Sequence, residues 1–274
     1  MSAYPQNRPF YSSRDAYRDL ISTLHAFVGI VLYEYLRSSN GLRERIIRNF
    51  IARGQTCLES VEVLWTLGHF QDCRSLNRCL LDRLFYLHAL GRDDDFERYD
   101  DWSFFEQFRC ANYARSNTPF KLRSDIQEFT EEEKERYKQI TSSGKPGWQR
   151  PGPESTAKDM GRDFLYHISY SRGSHHVHPM ANDGQFDFER ITGLGEGEPS
   201  DQRVLLNNSI LFQLLLIRKG LNIGSPKWRR LIYDFLDNSL TFLQTGSPSY
   251  KATFVKITNQ GPDCFWTDSD KTHT

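Results

Sequence analysis

Residues 70–90 read FQDCRSLNRCLLDRLFYLHAL, the longest clean helical pattern in this 274-residue sequence. Apolar residues such as Leu80, Leu84 and Leu87 recur at spacings of three and four, which is the period of a helix with one buried face. The same spacing recurs through most of the chain. These residues therefore predict a helical protein, and the long 70–90 helix is the element from which we work outward.

Further helices are expected from the same period and from their start and stop signals. Gly54 and Gly68 are expected to end two of them, and Thr130-Glu131-Glu132-Glu133 matches a capping box that begins another. The predicted helices cover residues 12–37, 42–52, 56–67, 102–114, 130–141, 156–174, 201–222 and 226–243. Because no strand alternation or internal repeat persists, we predict an all-α fold, a bundle of roughly seven to nine helices.

Two regions break the helical pattern. Residues 142–155 are rich in glycine and proline, which predicts a long loop, and Trp148 is expected to fix that loop in place. Residues after 245 predict an irregular tail, with β-compatible residues from Thr253 to Ile257. We divide the chain into N-terminal helices (1–55), a main helical bundle (56–244) and the tail (245–274).

Composition sets limits on function and location. Lys and Arg together number 35, as do Asp and Glu, so no overall charge favours nucleic acid or an anionic membrane. The longest apolar run, Ile210 to Ile217, is too short to span a bilayer, and residues 1–10 lack the apolar core of a secretory signal. We expect a cytoplasmic protein with no membrane segment. Its five cysteines are far apart, which argues against a disulfide framework or a zinc site.

The densest functional signal is the histidine-rich segment from Tyr166 to Pro179. On a helix, His167, Ser171, Ser174 and His178 fall at steps of four, three and four, so they form one polar stripe. Such a stripe faces either a ligand or solvent. A second signal lies within the 70–90 helix.

Arg74, Arg78 and Asp82 repeat every four residues in that otherwise apolar helix. At this spacing Arg78 and Asp82 can form an ion pair on one helix face. One interpretation is a charge pair that fixes helix packing, since buried charges are tolerated when they are partnered. The other is that Arg78 points into the same cavity as His178.

At these two segments the sequence resembles the chiefly bacterial domain-of-unknown-function 5677 family. Arg78-Cys79-Leu80-Leu81-Asp82 resembles the family's Arg-x-Leu-Leu-Glu helix, with aspartate in place of glutamate. Tyr166, Tyr170 and Ser174-His175-His176-Val177-His178-Pro179 resemble its second motif. The resemblance covers about Thr56 to Pro179. It implies a helical bundle and these candidate residues, and it brings no agreed activity.

A weaker likeness is to the HEPN class of helical proteins, many of which are metal-independent ribonucleases with an Arg-x(4 to 6)-His motif. Arg172 and His178 fit that spacing, as do Arg83 and His88, but the latter pair is more typical of a packed helix. The resemblance implies that His178 moves the proton of a ribose 2′-hydroxyl, while Arg172 or Arg78 stabilises charge on the phosphate. It also implies RNA as a partner, a homodimer, and a role as a toxin or phage-defence effector.

The candidate catalytic residues are His178, Arg172, Arg78, Asp82 and Ser174, with no cofactor. A different reading is a non-catalytic helical binding or regulatory module, in which the same residues hold the bundle together. A third is a metal-dependent enzyme in which Asp163, His167 and one of the later histidines, such as His175, supply oxygen and nitrogen ligands. These hypotheses differ in whether the candidate residues meet in one pocket with a basic rim.

Overall fold

The computed structural model describes residues 11–38, 41–116, 128–142, 144, 146–175, 177–178, 184–195, 202–261 and 265. Within these residues the chain forms eleven α-helices and one π-helix, and no strand. The α-helices are α1 (Arg14–Ser38), α2 (Leu42–Thr66), α3 (Phe70–Asp93), α4 (Phe96–Ser116), α5 (Glu131–Ser142), α6 (Pro153–Asp159), α7 (Ser171–His175), α8 (Gln185–Thr192), α9 (Arg203–Ile223), α10 (Arg230–Thr245) and α11 (Ser249–Gln260). The all-α prediction is confirmed, and the predicted number of helices is too low.

One prediction was wrong because Gly54 does not end a helix. The predicted helices 42–52 and 56–67 are one continuous helix, α2. A Cβ at Gly54 would lie 2.3 Å from Gln213 Oε1 and 2.7 Å from Leu216 Cδ2, both on α9. The glycine therefore allows α9 to approach α2 closely, and its role is a helix contact instead of a helix end.

Other differences add helices. The predicted 156–174 helix is divided into α6, the π-helix Leu165–Tyr170 and α7. α8 forms in a region with no helical prediction. α11 replaces the start of the predicted irregular tail, and the β-compatible residues Thr253 to Ile257 are helical. Tyr250, Thr253 and Ile257 recur at spacings of three and four, so α11 buries one face, and it packs against α10.

The chain divides into two compact units, residues 1–88 with 152–274, and residues 89–151. The predicted division at residues 55 and 244 is a different partition and stays a prediction. α2 passes through residue 55 without a break.

The first unit is built around α9. This helix is apolar on nearly all sides, as expected of a helix enclosed by others, and it packs against α1, α2 and α10. Phe27 of α1 and Phe235 of α10 stack with their ring centroids 4.1 Å apart. By length and composition α1 and α9 are apolar enough to cross a membrane, and 44% and 67% of their apolar windows are buried within the protein. The expectation that the chain has no membrane segment stays a prediction.

The second unit contains α4, α5 and the glycine- and proline-rich loop as far as Pro151. The predicted capping box is confirmed: the Thr130 amide donates to Glu133 Oε2 at 2.8 Å, and the Glu133 amide donates to Thr130 Oγ1 at 3.1 Å. Trp148 is only 6% exposed. Its ring packs against those of Tyr99 and Trp102, with centroids 4.9 and 4.7 Å away. The predicted role of Trp148 in fixing the loop is confirmed.

Candidate functional site

The segment from α6 to α7 runs antiparallel along α3. Near the carboxyl end of α3, His88 Nε2 lies 3.0 Å from Asp159 Oδ2. Nearer its amino end, Gly173 abuts the Arg74 carbonyl. Residue numbers rise along the segment as they fall along α3, so the histidine-rich segment is held against the helix that carries the predicted Arg78–Asp82 pair.

Arg78, Asp82 and Tyr170 form a partly buried cluster at the centre of this contact. The Tyr170 hydroxyl donates to Asp82 Oδ1 at 3.1 Å and accepts from Arg78 Nη2 at 3.5 Å. Arg78 Nε lies 4.0 Å from Asp82 Oδ2, and the two side chains are 13% and 27% exposed. The predicted ion pair is confirmed. Tyr170, which the sequence marked only as a motif residue, links the pair to the histidine-rich segment.

The environment keeps the Tyr170 phenol protonated. Burial is the largest cause and raises the pKa of Tyr170; the hydrogen bond from Arg78 opposes that shift, and the charge of Asp82 adds to it. A neutral phenol donates a hydrogen bond to the carboxylate, whereas a phenolate would repel it. The cluster is therefore a stable hydrogen-bonded connection between α3 and the π-helix.

The π-helix Leu165–Tyr170 sets the position of the tyrosine ring. Such segments are uncommon and frequently occur at functional sites. Tyr166 stacks on Tyr170 with ring centroids 5.8 Å apart, and Phe85 of α3 lies 5.7 Å away on a tilted ring. The guanidinium carbon of Arg78 is 5.1 Å from the centroid of the same ring. Tyr170 is thus fixed by aromatic and cationic neighbours as well as by its hydroxyl.

Gly173 brings α7 into direct contact with α3. A Cβ at this position would lie 2.8 Å from the Arg74 carbonyl oxygen and 2.8 Å from Arg78 Cβ, distances too short for any side chain. We call this contact the Gly173 crossing. The Ser174 hydroxyl donates to the Tyr170 carbonyl at 2.9 Å. Ser174, a predicted catalytic residue, therefore has its hydroxyl engaged within its own helical turn.

Two arginines of α3 lie at the Gly173 crossing, and Arg172 precedes Gly173 in the chain. Arg74 and Arg78 belong to the α3 surface that Gly173 touches, and Arg172 is its exposed neighbour. Arg78 is paired with Asp82, and Arg74 Nη2 lies 3.5 Å from Gln202 Oε1. Arg74 was not among the candidate catalytic residues, although its spacing of four from Arg78 was the available signal.

His178 lies just beyond the crossing and is exposed. Its amide donates to the Ser174 carbonyl at 2.9 Å, so a helical turn continues past α7 and holds the backbone of His178. Among the described residues, the side chains of Arg172 and His178 make no hydrogen bond or ion pair. Both are therefore available to a ligand, and their convergence with Arg78 on one cavity stays a prediction.

The other predicted groups are arranged differently. Asp163, His167 and His175 are exposed, and no three His, Cys, Asp or Glu side chains gather for a metal in the part of the chain that the structure describes. His176 and Pro179 lie outside the described residues. Arg83 donates to the Cys79 carbonyl at 2.6 Å within its own helix, which agrees with its interpretation as a packing residue.

Four of the five cysteines lie in the part of the chain that the structure describes. Cys57, Cys73, Cys79 and Cys110 are free, and Cys264 lies outside the described residues. They contribute no disulfide to the site.

Comparison with known proteins places these contacts in a family. A family described as "Family of unknown function (DUF5677)" matches residues 44–190, which is 147 of the 274 residues and includes the whole of α3 and the π-helix. No curated protein and no solved structure matches the chain.

Proposed function

We propose that this chain, which belongs to the family of unknown function DUF5677, cleaves RNA without a metal ion. The proposal is argued from the residues of the chain itself. His178 acts as the general acid and base. Arg172 and Arg78 are the candidates for stabilising charge on the phosphate. The weaker HEPN likeness suggested this chemistry, and the Gly173 crossing supports it.

The observation that carries the proposal is the set of basic residues at and next to the Gly173 crossing. In a chain with no net charge, Gly173 packs on the stretch of α3 that carries Arg74 and Arg78, and the exposed Arg172 and His178 precede and follow it in the sequence. Basic residues around one helix contact are a candidate for binding a negatively charged group. A phosphodiester carries that charge, and guanidinium groups suit its oxygens.

The proposed reaction is an intramolecular transesterification at a phosphodiester of RNA. The ribose 2′-oxygen attacks the adjacent phosphorus, the bond from phosphorus to the 5′-oxygen breaks, and a 2′,3′-cyclic phosphate forms. His178 accepts the proton of the 2′-hydroxyl, and a proton is returned to the leaving 5′-oxygen. Arginine stabilises the added negative charge on the phosphorus-bound oxygens.

Asp82 and Tyr170 have a positioning role in this proposal. The Tyr170 hydroxyl bonds to both Asp82 and Arg78, so these side chains bond to one another and not to groups at the surface. By holding Arg78 and the π-helix together, they fix the register of the segment that carries Arg172 and His178. A small displacement of such a segment is enough to reduce a reaction rate strongly.

The test is a cleavage assay of purified protein on mixed cellular RNA, with and without EDTA, resolved on a denaturing gel. His178→Ala is compared with His25→Ala, a matched control because His25 is also exposed and lies on α1, where it pairs with Glu59. Cleavage that survives EDTA and is lost only in His178→Ala supports the proposal. Cleavage abolished by EDTA favours a metal site at Asp163 and His167, and cleavage retained by His178→Ala contradicts the assigned role.

A second function, a non-catalytic binding or regulatory module, is favoured by exposed apolar residues on the histidine-rich segment and on α8, which follows it in the chain. Seven of these side chains are 40–78% exposed: Phe164, Ile168, Val177, Phe186, Phe188, Ile191 and Leu194. Exposed apolar residues are typical of surfaces that bind proteins when they form one patch. A second copy of the chain is the expected partner. Light scattering of the wild type and of Ile191→Ser checks this, because a dimer formed through α8 dissociates in the variant.

A further inference from the structure

A cavity of about 310 Å³ lies between α1 and α2. Its lining includes Ser22 and His25 of α1 and Glu59 and Glu62 of α2, and the proposed ribonuclease reaction uses none of these residues. Small-molecule pockets usually measure about 300 to 1,000 Å³. The cavity therefore has room for one small ligand or one inserted side chain.

Two ion pairs join the helices at this cavity, and each uses only one oxygen of its carboxylate. Arg18 Nε and Nη2 donate to Glu62 Oε1 at 3.2 and 3.1 Å. His25 Nδ1 lies 2.6 Å from Glu59 Oε1, which also accepts from Gln55 Nε2 at 2.9 Å. The Oε2 atoms of both glutamates accept no hydrogen bond from any residue that the structure describes.

The cavity lining is rich in hydrogen-bond acceptors and carries a net negative charge. Glu59 and Glu62 are three positions apart on α2, so their carboxylates lie on one helix face and repel each other. Against these two negative charges the lining holds one permanent positive charge, that of Arg18. The Ser22 hydroxyl makes no hydrogen bond within the described part of the chain. The net charge is therefore negative whenever His25 is neutral.

Gln55 adds an independent sign that donors are missing here. Its side chain is buried, and its Nε2 is bonded to Glu59 on the cavity wall, whereas its Oε1 has no hydrogen-bond partner among the described residues. Buried acceptors are nearly always paired, because losing water without gaining a donor costs free energy. The cavity wall and the buried amide bonded to it therefore both lack donors.

A primary ammonium supplies the missing groups. It has three N–H donors and a positive charge, which match Glu59 Oε2, Glu62 Oε2 and the Ser22 hydroxyl. Ile21 and Val63 line the same cavity and offer apolar surface to a methylene stem. An anion would face two carboxylates. A metal ion is not favoured either, because no three His, Cys, Asp or Glu side chains of the described residues are grouped to ligate one.

We propose that this cavity binds a primary ammonium group carried on an apolar stem. Glu59, Glu62 and Ser22 accept its hydrogen bonds, and Ile21 and Val63 contact the stem. Two sources share this chemistry: a free alkyl amine, and the lysine side chain of a partner protein. The proposal is independent of RNA cleavage, because none of its residues takes part in that reaction.

The first experiment measures binding to the full-length protein by titration calorimetry. The probes are putrescine, which is a free alkyl diamine, and Nα-acetyl-lysine amide, which presents a lysine side chain. Tetramethylammonium chloride is the control probe, because it carries a positive charge and has no N–H donor. We expect at least one amine to bind and tetramethylammonium to give no heat of binding.

The second experiment repeats the titration with variants. Glu62→Gln keeps an oxygen that accepts from Arg18 but removes the charge, so it should weaken binding about tenfold. Ser22→Ala removes a neutral acceptor and should weaken binding about threefold. Glu106→Gln is the matched control, because Glu106 pairs with Arg109 on α4 and does not line the cavity. Its binding should equal that of the wild type, and circular dichroism checks that every variant is folded.

The outcomes separate the two sources and the failure of the proposal. Binding of putrescine alone identifies a free amine as the ligand, and binding of Nα-acetyl-lysine amide alone identifies a lysine side chain. Binding of both supports the shared chemistry. The proposal is overturned if neither amine binds with a Kd below about 10 mM. Equal binding of tetramethylammonium, or folded Glu62→Gln and Ser22→Ala that bind as the wild type does, overturns it as well.

Discussion

Two glycines allow close helix contacts in this protein, and their surroundings differ. At Gly54, α2 meets α9, and a Cβ would strike the side chains of Gln213 and Leu216 in the core. At Gly173, α7 meets α3, and a Cβ would strike the Arg74 carbonyl oxygen. The first contact joins two long helices of the bundle, whereas the second joins a five-residue helix to a surface that carries arginines.

The polar groups at the two contacts also differ. At the Gly54 contact, Gln213 Nε2 donates to the Ile51 carbonyl at 3.2 Å, so its amide serves the packing of α9 on α2. At the Gly173 crossing, Arg172 faces solvent and bonds to no described residue. We therefore assign packing to the first contact, and ligand binding at the second is part of the proposed function.

The largest expected effect is a loss of RNA cleavage without a loss of stability. His178→Ala should lower RNA cleavage by about 10²- to 10⁴-fold, the usual contribution of a general acid or base. Because His178 is exposed, the free energy of unfolding should change by less than about 0.5 kcal/mol. Single-turnover cleavage rates and urea unfolding measure the two quantities. A large loss of stability in this variant would assign His178 to packing and break the comparison.

Gly173→Ala tests whether the crossing positions catalytic residues. The new Cβ meets backbone at 2.8 Å, which cannot rotate away, so α7 must shift relative to α3. We expect cleavage to fall by at least about tenfold, since a displacement of about 1 Å at a reacting group has effects of this size or larger. The melting temperature should fall by only a few degrees. Unchanged cleavage would show that the register of α7 is irrelevant to activity.

Gly54→Ala is the matched variant at the packing contact. Its Cβ meets two side chains in a closely packed core, and overpacking of this kind costs about 1–3 kcal/mol of unfolding free energy. The cleavage rate per folded molecule should stay at the wild-type value. Denaturant titration and an assay at low temperature, where the variant is folded, test both statements. Equal activity losses in Gly54→Ala and Gly173→Ala would remove the distinction between the contacts.

Tyr170→Phe has a smaller effect, because it removes one hydroxyl and keeps the aromatic ring. The lost hydrogen bonds to Asp82 and Arg78 should cost about 1 kcal/mol of unfolding free energy. Asp82→Asn is the companion variant, since an amide still accepts from Tyr170 but leaves Arg78 without its charge partner. Thermal unfolding shows which of the two variants loses more stability. A Tyr170→Phe variant as stable as wild type would show that the cluster contributes nothing to the contact.

The smallest expected effect is a dependence on alkaline pH. The pKa of Tyr170 in the folded state is raised above its ordinary value of 10.0, so the folded protein binds the phenolic proton more tightly than the unfolded chain does. The stability that this supplies is complete below pH 10 and is lost as pH rises through the raised pKa. The stability difference between wild type and Tyr170→Phe should therefore narrow above pH 10, as measured by urea unfolding at several pH values. A difference that widens would contradict the assigned shift.

The sequence predicted what depends on near neighbours along the chain. The capping box at Thr130 and the Arg78–Asp82 pair each involve residues three or four apart, and both form as expected. Tyr170 is 88 positions from Asp82, and no local pattern could show that they bond. Gly54 was misread because a glycine in a helical pattern marks either a helix end or a close contact, and only the neighbouring helix decides between them.

The candidate site was also predicted only in part. His178 and Arg172 were selected by type and spacing, and the structure leaves both exposed. The positions that hold their helix, Gly173 and Tyr170, became visible only through contacts with α3. The division of α6 and α7 by a π-helix also escaped prediction, because helical periodicity does not reveal one extra residue in a turn.

The His88–Asp159 pair bears on how much the chain between these two residues can change in length. These residues are 71 positions apart, and the second compact unit, residues 89–151, lies between them in the chain. Closing a loop of this size has an entropic cost that grows only logarithmically, and doubling the loop adds about 0.6 kcal/mol. The intervening unit can therefore lengthen, shrink or be exchanged with little thermodynamic cost to the helices that it connects. The fold can vary as a fixed scaffold with a replaceable insert.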